Sequence, residues 1–254
     1  MQILQITDPH LYGSANARLR GVETDSSLRA VLDDAISRVP GYEAMLITGD
    51  LVQDDKSGYL RFRSYFGGFK KPVLCIPGNH DEPEAMRKEL TGAPFEICGT
   101  HEIGDWSFVM LDSYDPGSVG GRLTKNELAR LDAALSGSPK HAMVCLHHHP
   151  IDMDSRWLDS VGLADAQEFW RIIDAHKNVR AVVWGHVHQA FDGKRGDVRL
   201  FATPSTGAQF LPKSDRYAVD SRPPAYRSFE LHADGRIDSL VHWVESRQLR
   251  QTAS

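Results

Sequence analysis

Apolar positions along the chain alternate between short strand-like runs and longer stretches with helical spacing. Residues 2–7 open with an alternating run that predicts a strand. Residues 26–39 then set Leu28, Val31, Leu32, Ala35, Ile36 and Val39 at helical spacing, closed by Pro40 and Gly41. The apolar runs 44–48 and 72–76 read as buried strands, with a helical stretch reaching toward Phe69 between them. Residues 84–90 predict a short helix, and 95–97 and 106–111 predict strands. Thr124 and Glu127 form a capping-box pattern ahead of Leu128, Leu131 and Leu135. Strand 142–146, helix 164–175 and strand 179–184 follow, then a β-rich tail with runs at 199–202, 226–232 and 236–244. This alternation predicts an α/β fold on parallel strands, whose carboxyl ends are where ligands bind. No repeat, low-complexity segment or linker interrupts the pattern, so a single domain over 1–254 is expected, with 246–254 as a frayed tail.

Composition narrows the function classes. Of 254 residues, 41% are hydrophobic and 25% charged, the balance of a globular protein. No apolar run approaches the ~18 residues of a membrane span, and the chain enters a strand at once, so neither a signal peptide nor a membrane partner is expected. Cys75 and Cys145 lie in strand runs and three cysteines cannot all pair, which suits packed thiols in the cytoplasm. The net charge is −5 and no basic run stands out, which disfavours nucleic acid as a partner. Twelve histidines are the oddity.

Five polar clusters each end an apolar run. They are Asp8-Pro9-His10, Gly49-Asp50, Pro77-Gly78-Asn79-His80-Asp81, His147-His148-His149 and Gly185-His186-Val187-His188. In extended backbone, residues two apart point the same way, so Asp8 with His10 and His186 with His188 are expected to share a side. Any one cluster could be an ordinary turn; five in order point to a metal centre. The number of ligands suggests two metals, with Asp50, alone on its loop, as the bridge between ions ~3.5–4 Å apart. Asp8, His10, Asp50 and one histidine of the last pair would hold one ion. Asp50, Asn79, His147 and the other histidine would hold the second. Imidazole, carboxylate and amide ligands suit Mn, Fe, Zn or Co better than Ca or Mg. Two carboxylates against two ions leave the site positive, which suits an anionic phosphoester. A metal-bridging hydroxide would attack phosphorus in line with the leaving oxygen, and His80 would supply a cation or proton to that oxygen.

These motifs resemble those of the calcineurin-like metallophosphoesterases, all five in order over residues 2–188. Beyond them, residues 3–8, 146–150, 203–206 with Gln209 and Phe210, and 230–235 look like the bacterial class III cyclic-nucleotide phosphodiesterases. The resemblance implies a four-layer αββα sandwich with a binuclear Fe/Mn-type centre. It implies Asp8, His10, Asp50 and His188 on the first metal, and Asp50, Asn79, His147 and His186 on the second. Asp50 and His80 are then the catalytic residues. His80 contacts phosphate, with His10, Asn79 and His188 beside it at the substrate. His148 or His149 could take the place of His147 or line the pocket, since the run of three lets the register slip.

The substrate class expected is a small phosphodiester, foremost a 3′,5′-cyclic nucleotide such as cAMP, opened to its 5′-monophosphate. A glycerophosphodiesterase or a broad phosphodiesterase is the alternative. A non-catalytic scaffold of the same fold would have lost ligands or His80, and this chain has lost none. Tyr12, Arg18 and Arg20 on the 11–24 loop are candidates to meet substrate, as is the polar loop 203–210. His101, His141, His176, His232 and His242 are expected to be surface or satisfied residues, Trp157, Trp170 and Trp243 to pack, and Asp54 and Asp55 to be solvated. A homo-oligomer stays open.

Overall fold

The computed structural model describes residues 1–245; the expected tail at 246–254 lies outside the described residues. Two six-stranded sheets carry the fold. In chain order their strands are β1 (Gln2–Ile6), β2 (Tyr42–Thr48), β3 (Val73–Ile76), β4 (Phe95–Ile97), β5 (Gly99–Ile103) and β6 (Trp106–Met110). They continue with β7 (His141–Leu146), β8 (Val179–Trp184), β9 (Phe191–Arg195), β10 (Val198–Ala202), β11 (Ala225–Leu231) and β12 (Ile237–Trp243). The first sheet runs β12-β11-β1-β2-β3-β4 and the second β9-β10-β8-β7-β6-β5. Strands β1 to β4 pair in parallel, as do β6, β7, β8 and β10, so each sheet has a parallel centre.

Side-chain alternation along these strands builds three apolar layers. Leu4, Met45, Ile47, Val73 and Cys75 face outward onto helices α1 (Thr24–Arg38), α2 (Gly58–Phe66) and α3 (Pro83–Glu89). Ile3, Leu46, Leu74, Phe108, Met143 and Val183 face inward and form the layer between the sheets. Val109, Val144, Val182 and Trp184 face outward on the other side, onto α4 (Lys125–Gly137), the short α5 (Arg156–Asp159) and α6 (Ala166–Ala175). The result is the expected four-layer αββα sandwich. Burial of these side chains, at about 25 cal/mol per Å² of apolar surface, is what holds the layers together.

One expectation is corrected and further elements are added. Strands β5 and β9 were not legible, because they are outer antiparallel strands of half-buried or exposed residues with no apolar run. The capping box is half made: Thr124 accepts from Glu127 N at 3.1 Å, but the Glu127 carboxylate instead accepts from Asp112 N at 2.8 Å and from Arg130. Within the 11–24 loop, Arg18–Leu19 and Val22–Glu23 pair as a small hairpin leading into α1.

Candidate metal centre

Each predicted cluster ends a strand, and the two facing sheets together gather them. Asp8 and His10 follow β1, Asp50 follows β2, and Asn79 and His80 follow β3; His147 follows β7, and His186 and His188 follow β8. The extended alternation expected of the two pairs is replaced. Asp8, His10, His186 and His188 have φ of 52°, 46°, 64° and 47°, and Asp50 has 50°. Left-handed backbone in non-glycine residues costs on the order of 1 kcal/mol or more each and gathers at functional sites. The turns send the last pair apart: His188 joins Asp8 and His10, whereas His186 joins His147 and His148.

The polar atoms that meet are mostly acceptors. His188 Nδ1–H donates to Ala208 O at 2.7 Å and His147 Nδ1–H to Thr48 O at 2.7 Å, which turns both Nε2 atoms into the centre. His188 Nε2 lies 3.1 Å from His10 Nε2 and 3.3 Å from Asp8 Oδ1. His147 Nε2 lies 3.3 Å from Asn79 Oδ1 and 3.4 Å from Asp50 Oδ2. The same Asp50 Oδ2 is 3.7 Å from His10 Nε2, so one carboxylate oxygen stands between the two groups. His186 Nε2 is buried with no hydrogen-bond partner. Lone pairs converging in a buried space repel unless a cation sits among them. The residues present therefore fit a metal pair. Glycine makes the approach feasible: a Cβ at Gly49, whose φ is +98°, would lie 2.2 Å from His147 Nδ1, and one at Gly185 2.2 Å from Thr7 Oγ1.

The electrostatics agree. Burial opposes charge on Asp8 and Asp50, yet the neighbouring imidazoles, His188 for Asp8 and His147 for Asp50, hold both carboxyls below the usual range. Burial likewise opposes charge on His147, but Asp50 and Asp8 raise it to about 9, a pull toward positive charge at the place where a cation would answer it. Burial pushes His10 down to about 3 and His186 well below its ordinary value, so both are neutral ligand-ready imidazoles.

Around the centre, several side chains have tasks that the sequence pattern did not disclose. Asp81 is not a free carboxylate: it accepts from Gly78 N, Leu51 N, Val52 N and the Tyr59 hydroxyl, stapling the Asp50 loop to the Asn79 loop. Asp54 is exposed, as expected, but its Oδ2 also lies 2.9 Å from His80 Nδ1 and accepts from Gln53 Nε2 at 2.7 Å, and Gln53 Nε2 stands 2.8 Å from the same His80 Nδ1. Asp55, expected likewise, accepts from Gly13 N at 2.8 Å and Ser57 N at 3.0 Å and ties the 11–24 loop to the start of α2. Gln5 points between the sheets, donates to Thr48 Oγ1 and Trp184 O, and accepts from Thr203 Oγ1. Ser205 on the 203–210 loop donates to Asp8 O at 2.7 Å.

The cleft over the centre is lined by Arg20 and Phe210, while Arg18 is occupied with Glu23 at 3.1 Å. Trp157 packs on Phe210 and Tyr217 as expected, but it also lines this cleft. Trp170 donates to Pro150 O at 2.7 Å, and Arg222 lies over Trp243, so both pack. His148 contacts Ser113 Oγ at 2.8 Å, and His149 stacks on His186 with centroids 5.6 Å apart. The remaining histidines have partners, such as Asp132 for His176 and Asp238 for His232. A roomier cleft of about 580 Å³ lies elsewhere, where Asp112 is paired with Arg87 at 3.0 Å.

The sequence profile of the calcineurin-like phosphoesterases matches residues 1–190. The chain belongs to this family. Along nearly its whole length it is similar to the 3′,5′-cyclic adenosine monophosphate phosphodiesterase CpdA of Pseudomonas aeruginosa, at 36% identity over 245 residues, 96% of this chain and 90% of that one. The CpdA of Vibrio vulnificus is 37% identical over 249 residues, 97% and 91% of the two chains. Among solved structures, a dimetal phosphatase from Danio rerio superposes with a TM-score of 0.61 over 96% of this chain and 99% of that one, at 13% identity, a likeness of fold alone. Family membership implies a binuclear metal centre in a phosphoesterase, and the two acceptor groups are its candidate sites.

Proposed function

We propose that this protein is a metal-dependent phosphodiesterase that hydrolyses 3′,5′-cyclic nucleotides, cAMP foremost, to 5′-monophosphates. The observation that carries the reading is Asp50 Oδ2 poised between His10 Nε2 and His147 Nε2, in a chain with full-length similarity to CpdA phosphodiesterases. In this reading Asp8, His10, Asp50 and His188 hold one ion, and Asp50, Asn79, His147 and His186 the other. Iron and manganese are the proposed pair, and zinc or cobalt would satisfy the same donors. When bound, the pair supplies an activated water and Lewis-acid stabilisation of the phosphoryl oxygens.

The chain's own residues do the rest. Asp50 Oδ1 accepts from His80 N at 2.8 Å, which fixes His80 at the rim of the centre. With Nδ1–H held by Asp54, a His80 protonated on Nε2 as well would give that Nε2 proton to the departing 3′ oxygen as the P–O3′ bond breaks and be left as the neutral imidazole. Asn79, His10 and His188 flank the phosphate. The protein is further proposed to work as a single domain in the cytoplasm, with all three cysteines as thiols; no described helix is long and apolar enough to cross a membrane.

The test is hydrolysis of cAMP beside glycerophosphoethanolamine and an aryl phosphodiester by the Mn-loaded protein, with Asn79→Ala as control. A kcat/KM preference of ~100-fold for cAMP, about 2.7 kcal/mol of transition-state preference, is expected, with turnover lost in the variant. Equal or better use of the glycerophosphodiester would overturn the substrate assignment.

A further inference from the structure

The wall of the cleft that faces the candidate metal centre is unlike the centre itself. It is built from Val119, Trp157, Leu158, Phe210 and Tyr217 with one cation, Arg20, and it contains no carboxylate and no side-chain amide. Its rings are contiguous. Phe210 stacks on His188 with centroids 4.2 Å apart and planes at 8°, and Trp157 meets Phe210 at 5.1 Å and Tyr217 at 5.3 Å. Aromatic surface thus runs unbroken from a proposed metal ligand out to Trp157, whose buried indole N–H has no acceptor.

Arg20 closes this wall from the other side. Its guanidinium lies 4.9 Å above Phe210 and 5.5 Å from the Tyr217 ring, and its Nε donates to the Tyr217 hydroxyl. The segment bearing Trp157 is tied to the segment bearing Tyr217 by Ser155 on Ser214 O and by Arg156 on Asp215 at 2.6 Å, so the two form one cover. Arg20 comes from the separate 11–24 loop. The contact of Arg20 with Tyr217 is therefore a seam between two covers. The closed cleft holds only about 90 Å³, well under the ~300 Å³ at which pockets for ligands of nucleotide size begin. A base fits against this wall only if the seam parts; a second cavity, of about 240 Å³, reaches Asn79 and His80 from the Asp54 side and has no aromatic wall of this kind.

We infer that the parted seam is the nucleobase subsite, with Trp157 and Tyr217 as its stacking faces. This deepens the cyclic-nucleotide reading and rests on it. A wall of flat rings without amides or acids accepts a heteroaromatic base by stacking and offers a glycerol moiety little to bond. Aromatic clusters also attract ammonium headgroups, but the guanidinium of Arg20 within this cluster repels them. The same chemistry therefore favours a nucleotide over the common amino-alcohol glycerophosphodiesters.

The experiment compares wild type, Trp157→Ala, Trp157→Phe and Tyr217→Ala as holoenzymes. One readout is the ratio of kcat/KM for cAMP to that for methyl 4-nitrophenyl phosphate, a diester without a base. The other is calorimetric binding of 5′-AMP. The ratio is expected to fall at least tenfold in the two alanine variants, chiefly through KM for cAMP, with 5′-AMP binding weakened at least fivefold and Trp157→Phe recovering most of both. A ratio unchanged in the alanine variants, or 5′-AMP bound as tightly as by wild type, would overturn the subsite. Tyr217 is half exposed, so its variant keeps the test independent of any folding defect at Trp157. Failure of the cyclic-nucleotide reading shows separately, as wild type cleaving the small diester but not cAMP.

Discussion

His80 shows how a neighbour can set the task of a side chain. Its motif is legible in the sequence, but the residue that orients it, Asp54, sits in a polar stretch where nothing separates it from a solvated loop acid. Asp54→Asn should lower kcat/KM for cAMP by ~10–100-fold, because the 3′ alkoxide needs a proton as it leaves. The loss for a 4-nitrophenyl diester, whose leaving group needs none, should stay within ~3-fold. Equal losses on both substrates, measured side by side, would show that Asp54 does no more than shape the loop. The metal-ligand candidates were readable for the opposite reason: imidazoles and carboxylates ending apolar runs have no packing role to hide behind. Their left-handed backbone was not readable, since nothing in the residue types of Asp8 or His188 announces the φ of 52° and 47° that they adopt.

At the scale of elements, Asp55 couples a loop to a helix. Backbone N–H donation from Gly13, then the Ser57 hydroxyl and N–H, hold its carboxyl below the ordinary value of 3.8. A carboxyl whose native pKa is depressed contributes stability above its unfolded pKa and loses it as pH falls through the native one. The gap in Tm between wild type and Asp55→Ala should therefore be full near neutrality and narrow steadily below pH 3.8. A gap that stays constant on acidification would refute the linkage. The parallel strands and long helices were readable because each has one face in a core, which stamps a period on the sequence. β5 and β9 lack a buried face of their own and left no period.

For the whole molecule, the centre joins the two sheets at their carboxyl edges, where Gln5 and the loops from both sheets meet. Without metal, this junction packs lone pairs and carboxylates against one another; with metal, the ions link the sheets. Chelation should lower Tm, and Mn²⁺ should restore it. At free metal 100-fold above Kd, each site adds about 2.7 kcal/mol, a shift on the order of 5–10 °C for a chain of this size. Equal Tm with and without metal, by differential scanning calorimetry, would contradict the metal centre.

What the sequence determined by itself was an α/β alternation on parallel strands and the eight candidate polar residues that end them, because burial periodicity and metal-ligand chemistry both act locally on which residue stands where; the αββα layering was implied by the family resemblance. Only the tertiary structure decided that two sheets share the site, that His186 and His188 part toward different groups, and that Arg20, Trp157 and Tyr217 close over it. Those residues lie as much as 197 positions apart in the chain. Contacts at that separation depend on how the sheets pack and where the loops fold back, and no local spacing records them.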